Sequence, residues 1–387
     1  MAWKVMTIMS ERLAFVTQAS AEGANMRELC RCYGISAPTG YKWLRRFQEG
    51  GPAALGDQSR RPAHSPGQTS AAIERLVCEV RQAHPVWGGR KIKAYLERQG
   101  YHGVPAASTV TEILRRWDRI DPQEALKHKP HQRFERSAPN ELWQMDFKGH
   151  FALADGSVCH PLTVLDDHSR FLIGLRACAD ESRETVQEQL IALFRTYGLP
   201  DSMLMDNGSP WGTLENAYRL TTLKVWLLRL DVRVHHGRPY HPQTQGKDER
   251  LHRTLVQEVL QHQVLRDLAA CQPHFDDWRQ VYNDQRPHEA LGLRVPADCY
   301  QPSQRPFPER LPAIEYQSDD VVRKVVRPGK IYMGGQPFIV SRALTGEYVA
   351  LRPTEQDGHY DVYFCRCKVS HINLRGHNDA TQSAGGG

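Results

Sequence analysis

Leu142-Trp143-Gln144-Met145-Asp146-Phe147 sets Trp143, Met145 and Phe147 at alternate positions, the period of a strand with one face against a core. The same run carries a carboxylate, Asp146, among its apolar residues. A second carboxylate, Asp206, closes the short apolar run Met203-Leu204-Met205 and is followed by Asn207-Gly208, a turn signal. A third acidic position lies in Gly246-Lys247-Asp248-Glu249-Arg250, near the start of a long helical run. Carboxylates at the ends of neighbouring elements can converge, and their hard oxygens are the ligands Mg²⁺ prefers. Two such ions, about 3.5–4 Å apart, would activate a nucleophile and stabilise the leaving oxygen of a phosphodiester. The expected cofactor is therefore two Mg²⁺ per site, with Mn²⁺ able to substitute.

Outward from that strand, residues 139–300 read as strands Leu142–Leu153, Cys159–Leu165 and Phe171–Ala177, then an amphipathic helix over Ser182–Tyr197. The Met203–Asp206 strand, a helical stretch near Leu214–Leu230, a strand at Val232–His235 and the Glu249 helix follow. Three strands and then alternating helices and strands describe a mixed α/β sheet domain. Asp166-Asp167 and Asp155-Gly156 fall at expected turns, where Asp serves the backbone. Periodicity does not separate Asp248 from Glu249, because both helix faces carry apolar residues. A glutamate one turn before Arg253 sets a metal ligand beside a phosphate partner, which favours Glu249. Lys247 and Arg253 are expected to contact phosphate, while His241 and Gln243 in the preceding Pro/Gly-bounded loop are polar groups that could hold substrate DNA or simply be solvated.

The N-terminal part reads differently. Asn25 with Glu28 is a capping-box start, Gly34 stops that helix, and Ser36 caps the next, with Pro38 in its first turn. Trp43, Leu44 and Phe47 pack inward while Lys42, Arg45 and Arg46 project outward, the helix-turn-helix arrangement for DNA. A second unit has Ile73, Leu76, Val77 and Val80 at helical spacing. After Trp87-Gly88-Gly89 comes a helix with Arg90 and Lys91, and Ser108 is expected to cap a third that ends in Arg115-Arg116. Arg60 and Arg61 in the linker between the units, and Arg133 and Arg136 in the linker after them, are further candidate DNA contacts.

Charge divides along the same line. Residues 1–138 hold 22 Lys/Arg against 13 Asp/Glu, a net of +9; the whole chain is +6, which leaves −3 for residues 139–387. A basic N-terminal third suits phosphate binding and an acidic remainder suits metal ligands. No apolar run approaches a membrane span, no cleavable leader is visible, and nine scattered cysteines fit a reducing cytosol. Cys30-x-Cys32 and Cys365-x-Cys367 lack partners at zinc-ligand spacing, and no Gly-Lys-Ser/Thr phosphate loop is present. Beyond Pro302, Pro306, Pro308 and Pro312, short alternating segments joined by Gly-containing turns read as a small all-β barrel.

The motifs in their order resemble the integrase-type (rve) catalytic core of bacterial insertion-sequence transposases. The similar stretches are Pro139–Phe147, Asp206-Asn207-Gly208, Arg238–Arg250, Tyr282-Asn283 and Arg286-Pro287-His288. The resemblance also covers the paired helix-turn-helix units, and a C-terminal barrel follows the core in related transposases. It implies a multidomain chain with helix-turn-helix domains at 1–55 and 69–118, separated by a linker at 56–68. A basic linker over 119–138 would lead to a ribonuclease-H-like core at 139–300. A Pro-rich linker at 301–314, a small β-barrel at 315–376 and a disordered tail at 377–387 would complete it. It implies a DDE triad of Asp146, Asp206 and Glu249 as catalytic and metal-binding residues. The 42 residues between Asp206 and Glu249 exceed the retroviral-integrase interval, an excess assigned to 211–230. The implied activity is Mg²⁺-dependent cleavage at terminal inverted repeats and strand transfer into target DNA. It needs double-stranded DNA as element ends and target, and self-association into a dimer or larger synaptic multimer. A bacterial cytoplasmic, nucleoid-associated location follows; a catalytically silent DNA-binding repressor of the element is the alternative.

Overall fold

Thr7, Asn25 and Ser36 open three helices, α1 (Ile8–Ala19), α2 (Met26–Cys32) and α3 (Ala37–Gly50). The Asn25 side chain accepts from the amides of Arg27 and Glu28, and Ser36 accepts from Thr39, satisfying donors that the first turn leaves orphaned. Gly34, at φ +62°, makes the turn between α2 and α3. Their core is Phe15, Val16, Cys30, Trp43 and Leu55. Gly40 lets α3 approach it closely: a Cβ there would lie 2.5 Å from Cys30 Sγ and 2.9 Å from Phe15 Cζ. The computed structural model describes residues 7–57, 69–120, 136–206, 211, 220–236, 246–261 and 265–375, and its contacts divide the chain into units 1–68 and 69–387.

The second unit begins with α4 (Ala71–Ala83), capped by Ser70, then α5 (Gly89–Arg98) and α6 (Ala107–Arg116). Val77, Trp87, Ile92, Leu96, Val110, Ile113 and Leu114 close their core. Ser108, expected as the cap of α6, lies inside its first turn. The Val110 amide bonds the Ala106 carbonyl at 3.0 Å and so starts the helix two residues earlier.

The strand pattern then produces β1 (Trp143–Phe147), β2 (Phe151–Ala152), β3 (Val158–Asp166) and β4 (Leu172–Cys178). Next come α7 (Arg183–Tyr197), capped by Ser182, β5 (Ser202–Met205), α8 (Thr222–Arg229) and β6 (Arg233–His236). Two longer helices follow, α9 (Gly246–Leu255) and α10 (Leu268–Gln280), each running on into a π-turn. The sheet order is β2-β3-β1-β5-β6, with β4 also on β3. β1 pairs antiparallel with β3 and parallel with β5, so the sheet changes sense at β1. Trp143, Met145, Leu162 and Val164 face α7 and α8 on one side. Leu165, Leu172 and Leu175 meet Leu251 and Leu255 of α9 and Phe275 of α10 on the other.

The C-terminal part departs from the expected barrel. β7 (Val321–Lys324), β10 (Tyr348–Pro353), β11 (His359–Phe364) and β12 (Cys367–Asn373) form a four-stranded antiparallel sheet, order β12-β11-β10-β7. β8 (Lys330–Met333) and β9 (Gln336–Ile339) make a separate hairpin. Closure would need a ladder from β7 or β12 onto the hairpin, and the link observed is one bridge, Val326 to Lys330. This region is sheet-rich without closing, and it packs on Leu220, Val225 and Leu228 at α8. Among the described residues no helix is long and apolar enough to cross a membrane.

Candidate active site

Gln144 of β1 stands opposite Leu204 of β5 in a parallel pair. Two residues further on, Asp146 comes level with Asp206, which directly follows β5. Two carboxylates thus sit at the carboxyl ends of adjacent parallel strands, where open α/β sheets place ligands. Burial first, and the neighbouring Asp206 charge second, push Asp146 up to about 6. Asp206 is exposed and borders 207–210, which lie outside the described residues.

Helix α9 is held over this pair by a hydrogen-bond bridge. Thr163, paired with Asp146 in the β1–β3 ladder, donates its hydroxyl to the Asp146 carbonyl at 2.9 Å and meets His252 Nε2 at 2.8 Å. A hydroxyl has one proton, so the imidazole is the donor and its Nε2 carries hydrogen. Burial and nearby Lys148 pull His252 down to about 4, which keeps it neutral. One turn earlier Asp248 is 1% exposed and its Oδ1 has no hydrogen-bond partner. Burial, then Asp146 and Asp167, drive this carboxyl well above the usual carboxylate range. Glu249 is exposed on the same turn. The structure therefore brings Asp206 and Asp248 each into electrostatic reach of Asp146 and leaves Glu249 at the solvent side of α9. Among the described residues no three acidic, imidazole or thiol groups gather as a metal cluster.

Asp166 and Asp167 hold the turn after β3. Asp166 accepts from Ser169 N, Ser169 Oγ and Asn140 N at 2.8, 2.6 and 2.7 Å. Asp167 accepts from Arg136 N at 2.9 Å and Gln144 Nε2 at 2.6 Å, and Lys247 Nζ lies 2.5 Å from it. The Lys247 ammonium, expected at phosphate, is thus paired with a fully buried carboxylate that ties the first turn of α9 to the sheet. The roles of Thr163, His252 and Asp167 were not apparent in the sequence. The one available signal for His252 was its place four residues after Asp248 on the Leu251/Leu255 side.

Of the candidate DNA contacts, Lys42 and Arg45 are exposed on α3, with Arg45 3.9 Å from Glu49, and Arg46 is half-buried over Trp43. On the second unit Arg90 lies 3.7 Å from Glu289, Arg115 pairs with Glu112, and Arg116 bonds Glu74 at 2.8 Å. Lys91 is half-buried against the core, and Arg253 is exposed on α9. Arg136 is half-buried, its amide on Asp167. Arg60, Arg61, Arg133, His241 and Gln243 lie outside the described residues.

Family models match along most of this architecture. A helix-turn-helix model covers residues 11–63 and a homeodomain-like model 39–114. Integrase core models cover 136–242 and 230–296, and the IS481 family transposase C-terminal domain covers 320–380. The chain belongs to the insertion-sequence transposases with an integrase core. It is 25% identical over 247 residues to an IS407 insertion-element protein of Burkholderia multivorans, covering 62% of this chain and 82% of that protein. It is 30% identical over 138 residues, 35% of the chain, to the Gag-Pro-Pol polyprotein of sheep pulmonary adenomatosis virus, of which the match spans 7%. A solved HTLV-2 integrase catalytic core domain in complex with magnesium is 16% identical with a TM-score of 0.32, over 43% of this chain and 99% of that one.

Proposed function

We propose that this transposase binds the terminal inverted repeats of its element through the helix-turn-helix units. It then cuts and joins DNA at Asp146, Asp206 and Glu249. The observation that carries the reading is the like-charged pair Asp146/Asp206 at the ends of adjacent parallel strands. Burial and the Asp206 charge both disfavour the ionised Asp146, and a divalent cation at the strand ends would favour it.

Asp146, Asp206 and Glu249 would hold two Mg²⁺, which supply Lewis acidity toward a phosphodiester and make water or a sugar hydroxyl a better nucleophile. Glu249 is the better third ligand of the two acids on its turn, because its carboxylate is exposed, whereas Asp248 is buried and burial pushes its carboxyl well above the usual range. The Thr163–His252 bridge fixes α9 on β1, and the Lys247–Asp167 pair fixes its first turn, so both carboxylate-bearing elements are held before DNA arrives.

In cleavage, a water oxygen attacks phosphorus, the 3′-oxygen leaves and takes up the proton, and a free 3′-OH results. In strand transfer that 3′-OH attacks a target phosphodiester, one P–O bond forms as another breaks, and a target 3′-OH is released. No protein–DNA covalent bond is needed. Joining two ends to one target calls for a dimer or larger assembly of this chain.

The test is Asp146→Asn, Asp206→Asn and Glu249→Gln in a Mg²⁺-dependent strand-transfer assay with duplexes from the DNA flanking the coding region. Each variant should retain end binding and lose cleavage and joining. Joining retained by any one of them removes that residue from the site. Binding without cutting by the unsubstituted chain in Mg²⁺ and Mn²⁺ makes it a repressor.

A further inference from the structure

The second helix-turn-helix unit is fastened to the core at both ends of α5. At the last turn the Arg98 guanidinium forks onto Asp298, Nη1 to Oδ2 at 2.6 Å and Nη2 to Oδ1 at 2.9 Å. At the first turn Arg90 lies 3.7 Å from Glu289. The two arginines stand about 12 Å apart along the helix. Val281, just after α10, adds an apolar contact with the α4–α6 core that includes Trp87, Ile92 and Leu96. A bidentate pair fixes direction as well as distance, and a contact at the far end of α5 removes the pivot that one pair would leave.

The segment that receives α5 is itself tied to the sheet. Buried Asn283 accepts from Leu172 N at 2.8 Å and donates to the Leu172 carbonyl at 3.0 Å, which holds the turn after α10 on β4. Two residues after Asp298, the Tyr300 ring stacks on Phe171 at 4.3 Å and its hydroxyl donates to Asn140 Oδ1 at 3.1 Å. On the other side, α5 carries α6. A Cβ on Gly89 would lie 2.5 Å from the Ala107 carbonyl oxygen, so the two helices meet without room for play. Contacts therefore run from α6 through α5 and residues 281–300 to the sheet that bears Asp146. Ser108, Thr109, Glu112 and Arg115 on the outer side of α6 stay exposed. The dock leaves the reading helix open, as a positioning contact should and a closed one would not.

We propose that the Arg98–Asp298 fork sets the spacing between DNA reading and DNA cutting. It holds α6 at a fixed distance from the Asp146/Asp206 pair, and so selects which phosphodiester beside the recognised sequence is cut. The inference rests on the DNA-cutting reading above and deepens it. Arg98 and Asp298 act through α5 as positioning residues. Both are partly exposed, and such a pair contributes little to stability, so breaking it loosens the dock without unfolding either part. Successive bases of a strand lie about 3.4 Å apart along the duplex, and play of that size in the unit moves the cut by one bond.

The experiment uses the full chain, Mg²⁺ and an end-labelled duplex from the DNA flanking the coding region, with products resolved to the nucleotide. Duplex affinity by anisotropy and thermal unfolding are read in parallel. The unsubstituted chain should cut at one bond. Arg98→Glu and Asp298→Arg should each keep affinity within about twofold and scatter the cuts over about one to three neighbouring bonds. Arg98→Gln removes the fork without adding repulsion and should broaden the cut in the same way, so a reversal that fails to fold does not decide the matter. The double variant Arg98→Glu/Asp298→Arg restores an ion pair of opposite sense and should return cutting to the one bond, a rescue that a general weakening of the fold would not produce. Cutting at the unchanged bond in all three single variants overturns the spacing role. Tighter duplex binding or faster cutting in them makes the fork a brake on DNA access and overturns it too. Scatter that the double variant leaves uncorrected assigns the effect to the fold rather than the pair. Duplex bound but never cut by the unsubstituted chain defeats the catalytic reading beneath, and the spacing role falls with it.

Discussion

Asp146→Asn should make the transposase more stable at alkaline pH while removing its chemistry. The carboxyl titrates at about 6 in the fold, against an ordinary 3.8, because it is desolvated and faces Asp206. Its folded value is the higher, so its contribution to stability is fully present below the unfolded value. That contribution is lost as pH rises through about 6. At about 1.4 kcal/mol per pH decade, the ionised carboxylate costs the fold up to about 3 kcal/mol, or about 1–3 after solvent screening of a half-buried group. An amide of the same shape carries no charge. Asp146→Asn should therefore melt higher at alkaline pH by about 2–8 °C, the scale expected for a domain of this size. The two proteins should converge near pH 4. Magnesium should then raise the melting temperature of the unsubstituted chain and leave the variant largely unmoved, since a ligand stabilises only the state that binds it. Differential scanning calorimetry at both pH values, with and without Mg²⁺, measures all four quantities. A variant that melts lower at alkaline pH, a gap that does not change with pH, or an equal magnesium shift in both proteins would each refute the like-charge argument.

The two acids on the first turn of α9 should part company: Asp248→Asn should keep joining activity and stability, since burial already disfavours the charge on its carboxyl, whereas Glu249→Gln should abolish joining. A single-turnover assay on both variants decides it, and the reverse result would hand the third ligand position to Asp248. Thr163→Val removes the hydroxyl shared by the Asp146 carbonyl and His252, and leaves a buried imidazole N–H unpaired. It should cost about 1–3 kcal/mol by urea unfolding, with a fall in cleavage at unchanged DNA affinity. Gly89→Ala brings a Cβ to 2.5 Å from the backbone oxygen of Ala107, so α5 and α6 must separate. A loss of about 1–3 kcal/mol and weaker duplex binding are expected, and an unchanged melting curve would show that the two helices slide freely.

Local signals in the chain were enough for some elements and silent on others. The caps Asn25 and Ser36 sit where their side chains suggest, because a cap is decided within four residues. The alternation around Asp146 likewise gave β1 its buried face. β12 carries no such alternation, because its fully buried hydrophobics Val369 and Ile372 are three apart, beside a register shift at Val362/Tyr363 that breaks the period of two. The barrel expectation failed for a related reason. Alternation shows that strands exist and which faces are apolar, but closure depends on which edges meet, and here they meet through a single bridge.

The site was legible to the extent that it follows strand ends, and opaque where it follows helix rotation. Successive residues on a helix are about 100° apart, so Asp248 and Glu249 could exchange roles under a small turn of α9. That turn is set by Thr163 meeting His252 and by Asp167 meeting Lys247, contacts across 89 and 80 residues that no local window contains. The same limit applies to α5. Its basic first turn reads as a DNA-facing surface until the segment carrying Arg286 and His288 folds against it. The charges of Arg90 and Lys91 then become shared with the core. On α9 the contacts with Thr163 and Asp167 bury Asp248 behind the strand pair and leave Glu249 facing solvent. Two consecutive acids on one turn thus face the core and the solvent, and loss of joining at unchanged stability is the signature that Glu249→Gln should leave and Asp248→Asn should not.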